Sequence, residues 1–515
     1  MHHITGLDRD QIQMISLEQM VEPTSFVRII DAFVDMLDLG QFSFSFFKLN
    51  GEGRPPFHPA TMMKIYLYGY QNGIRSCRRL EKACHNNIEM MWLVHQQRPN
   101  YKTIANFRKD NPKGFKEVFR YFVAILKDWE LIDGKTIAID SFKIRAQNSL
   151  KNNFNERKVK RHLEYIDTKI AQYEQDLDTE YQQEVQDKLD HNKNKKENYE
   201  AIQKHLKNTG DGQISTTDPD AKAVVFQRNS VKIGYNVQAA SDAKNKMLIA
   251  ADTGDVNDTK ALAVMVEKVQ QNIGEPTESN PRDVLADKGY HSGREIKACE
   301  LLKVKTFISP KESSSKLKNP DFAMEQFDYN EEQDTYTCPA NQTLNTNGRW
   351  YNKNQKNGRV AYQVKHYKTK ACFGCELKSE CTTNKLGRII ERTQYAQYVQ
   401  QNNQRVNDNP QYYRERQQII EHQFGTLKRH RHFDYITTKG KEKVLGEVYL
   451  SFINYNLSRT MSVLGFSEVL KRLKTAFSQV FRNVIPPITL NPIKCYLISF
   501  FTVLNQRSQF KVCQF

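Results

Sequence analysis

Lys135-Thr136-Ile137-Ala138-Ile139-Asp140-Ser141 is the stretch on which the fold is decided. A short, unbroken apolar run of this kind reads as a buried strand, and it delivers a carboxylate, Asp140, to its C-terminal end. The pattern returns at Asp283-Val284-Leu285-Ala286-Asp287. A lone Asp at a strand end is most often a turn or cap residue. Two of them on matching strands point elsewhere. If the strands are neighbours in one sheet, Asp140 and Asp287 meet at the edge where α/β proteins place ligands.

Working outward, the element order fixes the fold class. Polar residues 150–210 carry Leu163, Ile166, Ile170, Tyr173, Leu177, Tyr181, Val185 and Leu189 at spacings of three and four, the signature of long amphipathic helices. The narrow apolar stripe calls for a partner, either its own return limb or a second subunit. Strand patterns resume at 232–240 and 246–251, joined as a hairpin, and a helix near 259–272 precedes the second Asp-terminated strand. The order β, helical insertion, β, β, α, β, α, β predicts an α/β fold, a mixed sheet compatible with a ribonuclease H-like core. The catalytic core is expected over 131–310 and 396–465, with a helical-hairpin insertion at 150–210 and a cysteine-rich β insertion at 311–395. Residues 466–515 form a C-terminal segment of undefined role, the last 30 or so being apolar.

Residues 1–130 read as a helical domain. Short helices near 26–39, 59–70, 77–85 and 88–93 are joined by Gly or Asn turns, with Arg75, Arg78, Arg79 and Lys82 interleaved. A helix-turn-helix type of DNA-binding unit and an ordinary bundle with a basic solvated face both fit that pattern. The chain as a whole has 515 residues and a net charge of +17, which suits a polyanionic partner. No apolar run approaches the roughly 20 residues that a membrane span needs. Nine cysteines make no disulfide framework, and with no signal-peptide pattern at the start the expected compartment is the cytoplasm.

A third carboxylate, Glu421, lies on the strong helix expected from about 411 to 429, among Ile419, Ile420, Phe424 and Leu427. At 100° per residue, Arg414 and Lys428, seven positions to either side, return to within about 20° of it. Three hard oxygen ligands favour Mg²⁺ or Mn²⁺, and two such ions can drive in-line phosphodiester displacement. The segments TIAIDSFKIR (136–145), LADKGYHSG (285–293) and YRERQQIIEHQFGTLK (413–428) resemble those of bacterial insertion-sequence transposases of the DDE class, with a ribonuclease H-like fold. The last resembles that family's YREK signature in Tyr413, Arg416, Glu421 and Lys428; four residues separate Arg416 from Glu421 where the family has three. The resemblance implies that Asp140, Asp287 and Glu421 hold the metal ions. It implies that Tyr413, Arg416 and Lys428 meet DNA, a role that the basic helix faces suggest for Arg414, Arg78 and Arg79 as well. It also implies double-stranded DNA as substrate, a homodimer when two ends are paired, and a place on the bacterial nucleoid. A nuclease of the same fold without strand transfer, or a DNA-binding regulator, are the alternatives.

Cys338, Cys372, Cys375 and Cys381 gather in the β insertion. A Cys-x₂-Cys pair with a third Cys six positions on suits a closed tetrahedral zinc site, scattered free thiols being the alternative. Lys365, Lys368 and Lys370 read as a solvated basic strand and Trp350 as a packing residue, against phosphate contact and base stacking respectively.

Overall fold

The computed structural model describes residues 10–12, 14–45, 55–175, 182–226, 229–310, 319–354 and 360–484. The decisive stretch forms β1 (Thr136–Arg145), joined in one six-stranded sheet by β2 (Lys222–Val225), β3 (Val231–Asp242), β4 (Leu248–Gly254), β5 (Arg282–Ala286) and β6 (Val304–Ile308). β1 is antiparallel to β3 and parallel to β5, and β5 is parallel to β6. The long β3 holds two antiparallel partners on its other edge, β2 along its first residues and β4 along its later ones. The mixed α/β sheet expected from the sequence is therefore present. Ile137, Ala138 and Ile139 are fully buried, as are Leu285 and Ala286.

One expectation needs correcting. Asp140 does not end its strand, because β3 is longer than β1's apolar run and keeps pairing with it as far as Arg145 opposite Gly234. What ends at this point is the parallel pairing, whose last partners are Ile139 and Ala286. Asp140 and Asp287 are the next residue on each strand, so the two carboxylates still flank one edge.

After a single helical turn at Leu17–Met20, six longer helices precede the sheet: α1 (Phe26–Met36), α2 (Pro59–Gln71), α3 (Cys77–Asn86), α4 (Ile88–Leu93), α5 (Tyr101–Asp110) and α6 (Pro112–Asp128). α2 begins where Pro59 needs no N–H partner and the His58 ring accepts from the Ala60 N–H. At Gly69 a Cβ would come 2.6 Å from the Ile74 carbonyl oxygen and 2.7 Å from Leu80, so the turn into α3 closes only on glycine. α7 (Glu156–Gln175) and α8 (Gln182–Thr209) form the expected helical hairpin, each the other's return limb. Its small core contains Phe154, Val159 and Leu206, and Lys196–Asp167 bridges the limbs at 2.7 Å.

α9 (Leu262–Ile273) and α10 (Gly293–Leu301) pack beside the sheet. The insertion then builds a second six-stranded sheet from β7 (Asp328–Asn330), β8 (Thr335–Thr337), β9 (Thr343–Thr346), β10 (Tyr351–Asn354), β11 (Val360–Lys368) and β12 (Ile390–Thr393), around Phe327, Tyr336, Leu344, Tyr367 and Ile390. Then follow α11 (Ala396–Asp408), α12 (Pro410–Gly425), α13 (Lys441–Leu464) and α14 (Phe466–Val484). α13 is buried along most of its length against α6, α2 and β4. One apolar core therefore runs from α1 through the main sheet to α14. The apolar segment 486–515 lies outside the described residues, and no described helix is long and apolar enough to cross a membrane.

Arg75, grouped by sequence with the basic face of α3, is instead buried against Glu447 of α13, with Nη2 to Oε2 2.6 Å. Arg78, Arg79 and Lys82 stay exposed. Unit charges about 4 Å apart at an effective dielectric of about 20 attract by about 4 kcal/mol, which offsets part of the cost of burying the guanidinium. Here two hydrogen-bonding threonines and a second arginine complete the cluster.

Candidate active site

α12 carries the third carboxylate to the sheet and is pinned at both ends. Near its start the Tyr412 hydroxyl lies 2.7 Å from Thr136 Oγ1 and donates to Asp283 Oδ2 at 2.9 Å, tying it to the beginnings of β1 and β5. Further along, Gln423 Nε2 donates to Ser241 Oγ at 2.7 Å and to the Lys246 carbonyl at 3.2 Å, tying it to the β3–β4 hairpin. Ile419 and Ile420 are buried and Phe424 packs on Phe142 of β1. Glu421 is thereby presented beside the strand edge that carries Asp140 and Asp287.

The three carboxylates converge on Arg416. Its Nη1 donates to Asp140 Oδ2 at 2.9 Å, and its Nη2 lies 3.8 Å from Asp287 Oδ1 and 3.8 Å from Glu421 Oε1. The guanidinium is deeper than all three anions it serves, 9% exposed against 20% for Asp140, 48% for Asp287 and 52% for Glu421. Burial pushes the Asp140 carboxyl up to about 6, an effect that Arg416 and the Ser141 N–H partly offset and that the charges of Asp287 and Asp258 reinforce. Among the described residues no three His, Cys, Asp or Glu side chains are set to hold one ion. In this arrangement an arginine does the holding.

The structure adds a fourth acid that sequence pattern did not single out. Asp258 Oδ1 accepts from Asn236 Nδ2 and from Gln238 Nε2, both at 2.7 Å, and Asp258 Oδ2 lies 3.8 Å from Lys143 Nζ. Lys143 also donates to Asn236 Oδ1 at 2.6 Å and to Ser141 Oγ at 3.1 Å. The buried Tyr290 hydroxyl donates to Gln238 Oε1. β1 thus shows Asp140 to α12 on one face and packs Ser141 and Lys143 into a polar network on the other. Nothing periodic marks Asp258, which sits in the turn before α9.

The residues expected to meet DNA are distributed unevenly. Arg414 is exposed on α12, while Tyr413 is half-buried near Leu285 and Phe307. Lys428 lies past the end of α12 at Gly425, in a wider π turn, Thr426–His430. The change of pitch brings Lys428 Nζ 5.5 Å from the centre of the Phe142 ring, where burial and the nearby Lys143 lower its pKa. Arg78 lies over the Tyr101 ring and Arg79 faces solvent. In the insertion Lys365 is paired with Asp334 at 2.7 Å, while Trp350 remains 44% exposed.

The four cysteines come together. Cys338, Cys372, Cys375 and Cys381 all line one cavity of about 30 Å³. The Gln342 N–H donates to Cys338 Sγ at 3.3 Å, and Gly387, at φ +88°, lies so near that a Cβ would stand 2.5 Å from that of Cys372. All four are free thiols. Burial raises the Cys381 pKa, and charge on the other three thiols would raise it further.

Two family models match the chain. One, described as a transposase domain (DUF772), matches residues 15–110, and the other, described as a transposase DDE domain, matches residues 337–461. No curated protein matches. Among solved structures, the piggyBac transposase in a synaptic complex with hairpin DNA aligns over 92% of this chain and 84% of its own at 10% identity, with a TM-score of 0.28. An overlay that loose supports no inference about fold or partner. The first domain model lies on the N-terminal helices, and the second spans the cysteine-bearing sheet, α12 with Glu421, and most of α13. The two matches are consistent with a DDE-type transposase.

Proposed function

We propose that this transposase cuts DNA at the ends of a mobile element and joins the freed 3′-hydroxyls to target DNA. The observation that carries the reading is the convergence of Asp140, Asp287 and Glu421, from three separate elements, on one cation. The strand order β4–β3–β1–β5–β6, with β3 alone reversed relative to both neighbours, supports the ribonuclease H-like reading of the core. All three donors are carboxylates, which fits hard divalent ions such as Mg²⁺ or Mn²⁺ rather than a softer metal. Such ions, when bound, supply activation of the attacking oxygen and stabilisation of the leaving one.

The chain's own residues do the rest. Asp140 is fixed between Arg416 and the Ser141 N–H, and α12 holds Glu421 at the strand edge through Tyr412 and Gln423. Exposed Arg414, Arg78 and Arg79 are available to DNA phosphates, with Tyr413 and Lys428 at the margin of the site. Pairing of two ends calls for a homodimer, working on DNA in the cytoplasm.

The four cysteines are proposed to hold a structural Zn²⁺. That all four line one small cavity supports this, as does the N–H aimed at Cys338, which favours a thiolate. A small sheet with five buried apolar residues gains most from such a staple.

The test of function uses purified full-length chain, Mg²⁺, a DNA carrying the element's terminal repeats and a target plasmid. Joined products are expected. Cleavage without joining would leave a nuclease, and DNA binding without either would leave a regulator.

A further inference from the structure

Arg416 is usually expected, from the signature it resembles, to point at DNA. Here it points at the acids. Five positions before Glu421, it lies about 140° around the helix from it and has to curl inward to reach the carboxylates. Its Nη1 is engaged with Asp140 and its Nη2 stands equally distant from Asp287 and Glu421, so one planar fork spans all three. A guanidinium does not lose its proton in proteins. It leaves such a position only by rotating away.

We propose that Arg416 is the built-in counter-ion of this site, holding Asp140, Asp287 and Glu421 in register before metal arrives and competing with metal for them. Without it, three carboxylates at one strand edge would repel one another and splay. With it, they stay gathered, yet the cluster keeps an excess of negative charge, so a divalent cation is still attracted. Binding of the ion then displaces the side chain. This reconciles the two placements of Arg416. Released from the carboxylates, its fork is free for a phosphate, which it can meet bidentately. Arg416 is on this account a positioning residue whose two states alternate with metal loading.

The inference rests on the reading of the triad as the metal-holding site, and one set of measurements separates the two. Mn²⁺ binding to the full chain without DNA is followed by electron paramagnetic resonance and by calorimetry, for wild type, Arg416→Gln, Arg416→Lys and Asp287→Asn. A cation beside a carboxylate alters its affinity for another positive charge by roughly tenfold or more, so Arg416→Gln is expected to bind Mn²⁺ about tenfold more tightly. Arg416→Lys keeps the charge but not the fork that spans three acids, and is expected to tighten binding about threefold. It carries the test if the Gln variant does not fold. Asp287→Asn is expected to weaken binding at least about tenfold. If Asp287→Asn binds like wild type, the triad is not the metal site and the functional reading falls. If Asp287→Asn weakens binding while neither Arg416 variant tightens it, the counter-ion proposal alone is overturned.

Discussion

Replacing Glu447 by Gln removes one negative charge from the most enclosed ionic cluster of the chain. Glu447 is fully buried on α13. Its Oε2 accepts from Arg75 Nη2 at 2.6 Å and from the Tyr70 hydroxyl at 3.3 Å, with Arg108 Nη1 at 3.9 Å. Its Oε1 accepts from Thr437 N, Thr437 Oγ1 and Thr438 N at 2.9, 2.7 and 2.7 Å. Arg75 also donates to the Tyr435 carbonyl and lies over the rings of Phe433 and Tyr435 at 4.5 and 4.8 Å. Gln has nearly the shape of Glu, so packing is conserved while two buried guanidiniums lose their counter-charge. Uncompensated buried charge of this kind costs about 3–5 kcal/mol. An independent route gives a similar figure. Burial works against the charged carboxyl, but Arg108, Arg75 and the two threonines outweigh it and bring the pKa down from 4.5 to about 2, which by linkage is worth about 3 kcal/mol at neutral pH. Because the folded value is the lower one, this stability is complete above about pH 4.5 and is lost as pH falls from there towards 2. Denaturant unfolding at pH 7 should therefore show Glu447→Gln less stable by about 3–5 kcal/mol, with the gap to wild type narrowing below about pH 4.5. A loss under about 1 kcal/mol at pH 7, or a gap that stays constant on acidification, would refute the account of the cluster.

Other outcomes follow from the same structure. Asp258→Asn takes the acceptor charge from Asn236, Gln238 and Lys143 and should lower stability by about 1–3 kcal/mol, read as a shift in thermal midpoint; no shift would mean the polar network under β1 is dispensable. Gly69→Ala must move the Ile74 carbonyl or Leu80 and should cost about 1–3 kcal/mol in the same measurement, whereas a neutral result would show that the α2–α3 turn relaxes freely. Arg79→Ala and Arg414→Ala should each weaken DNA binding alike on all sequences and reduce the slope of log K against log salt by about 1, and an unchanged slope would remove that residue from the DNA track. Metal analysis should find about one Zn per chain in wild type and none after Cys372→Ser with Cys375→Ser; equal content in both would reject the proposed staple.

The sequence was most informative where a residue's environment is set by its near neighbours. The apolar runs before Asp140 and Asp287 announce buried strands, and Ile419, Ile420 and Phe424 show that α12 faces the core beside Glu421. The length of β1 was not legible, because it is set by β3, whose extent no residue of β1 encodes. Nor was the π turn after Gly425 legible, which changes the helical phase before Lys428. The resemblance assigns Arg416 to DNA, and its contact with Asp140 was not legible because helical angles locate a Cα and not the end of a long side chain. Arg75 and Glu447 stand 372 positions apart, a distance at which periodicity carries nothing.

That separation has a consequence for how the protein is made. At about 5–20 residues per second, a ribosome needs roughly 20–75 s to travel from Arg75 to Glu447. Throughout that interval the nascent N-terminal helices hold two arginines whose counter-charge does not yet exist, and the edge carrying Asp140 waits for Glu421 as well. Both are supplied by one late stretch of chain, α12 to α13. Burial of the N-terminal helices and completion of the acid triad are therefore nearly the same event in time. Ribosome-stalled chains ending before α12 should expose the 75–108 region to protease, and chains released after α13 should not; protection already complete at the earlier stall would show that the helices close without Glu447. A chain built this way completes its acid triad only once α12 has been translated.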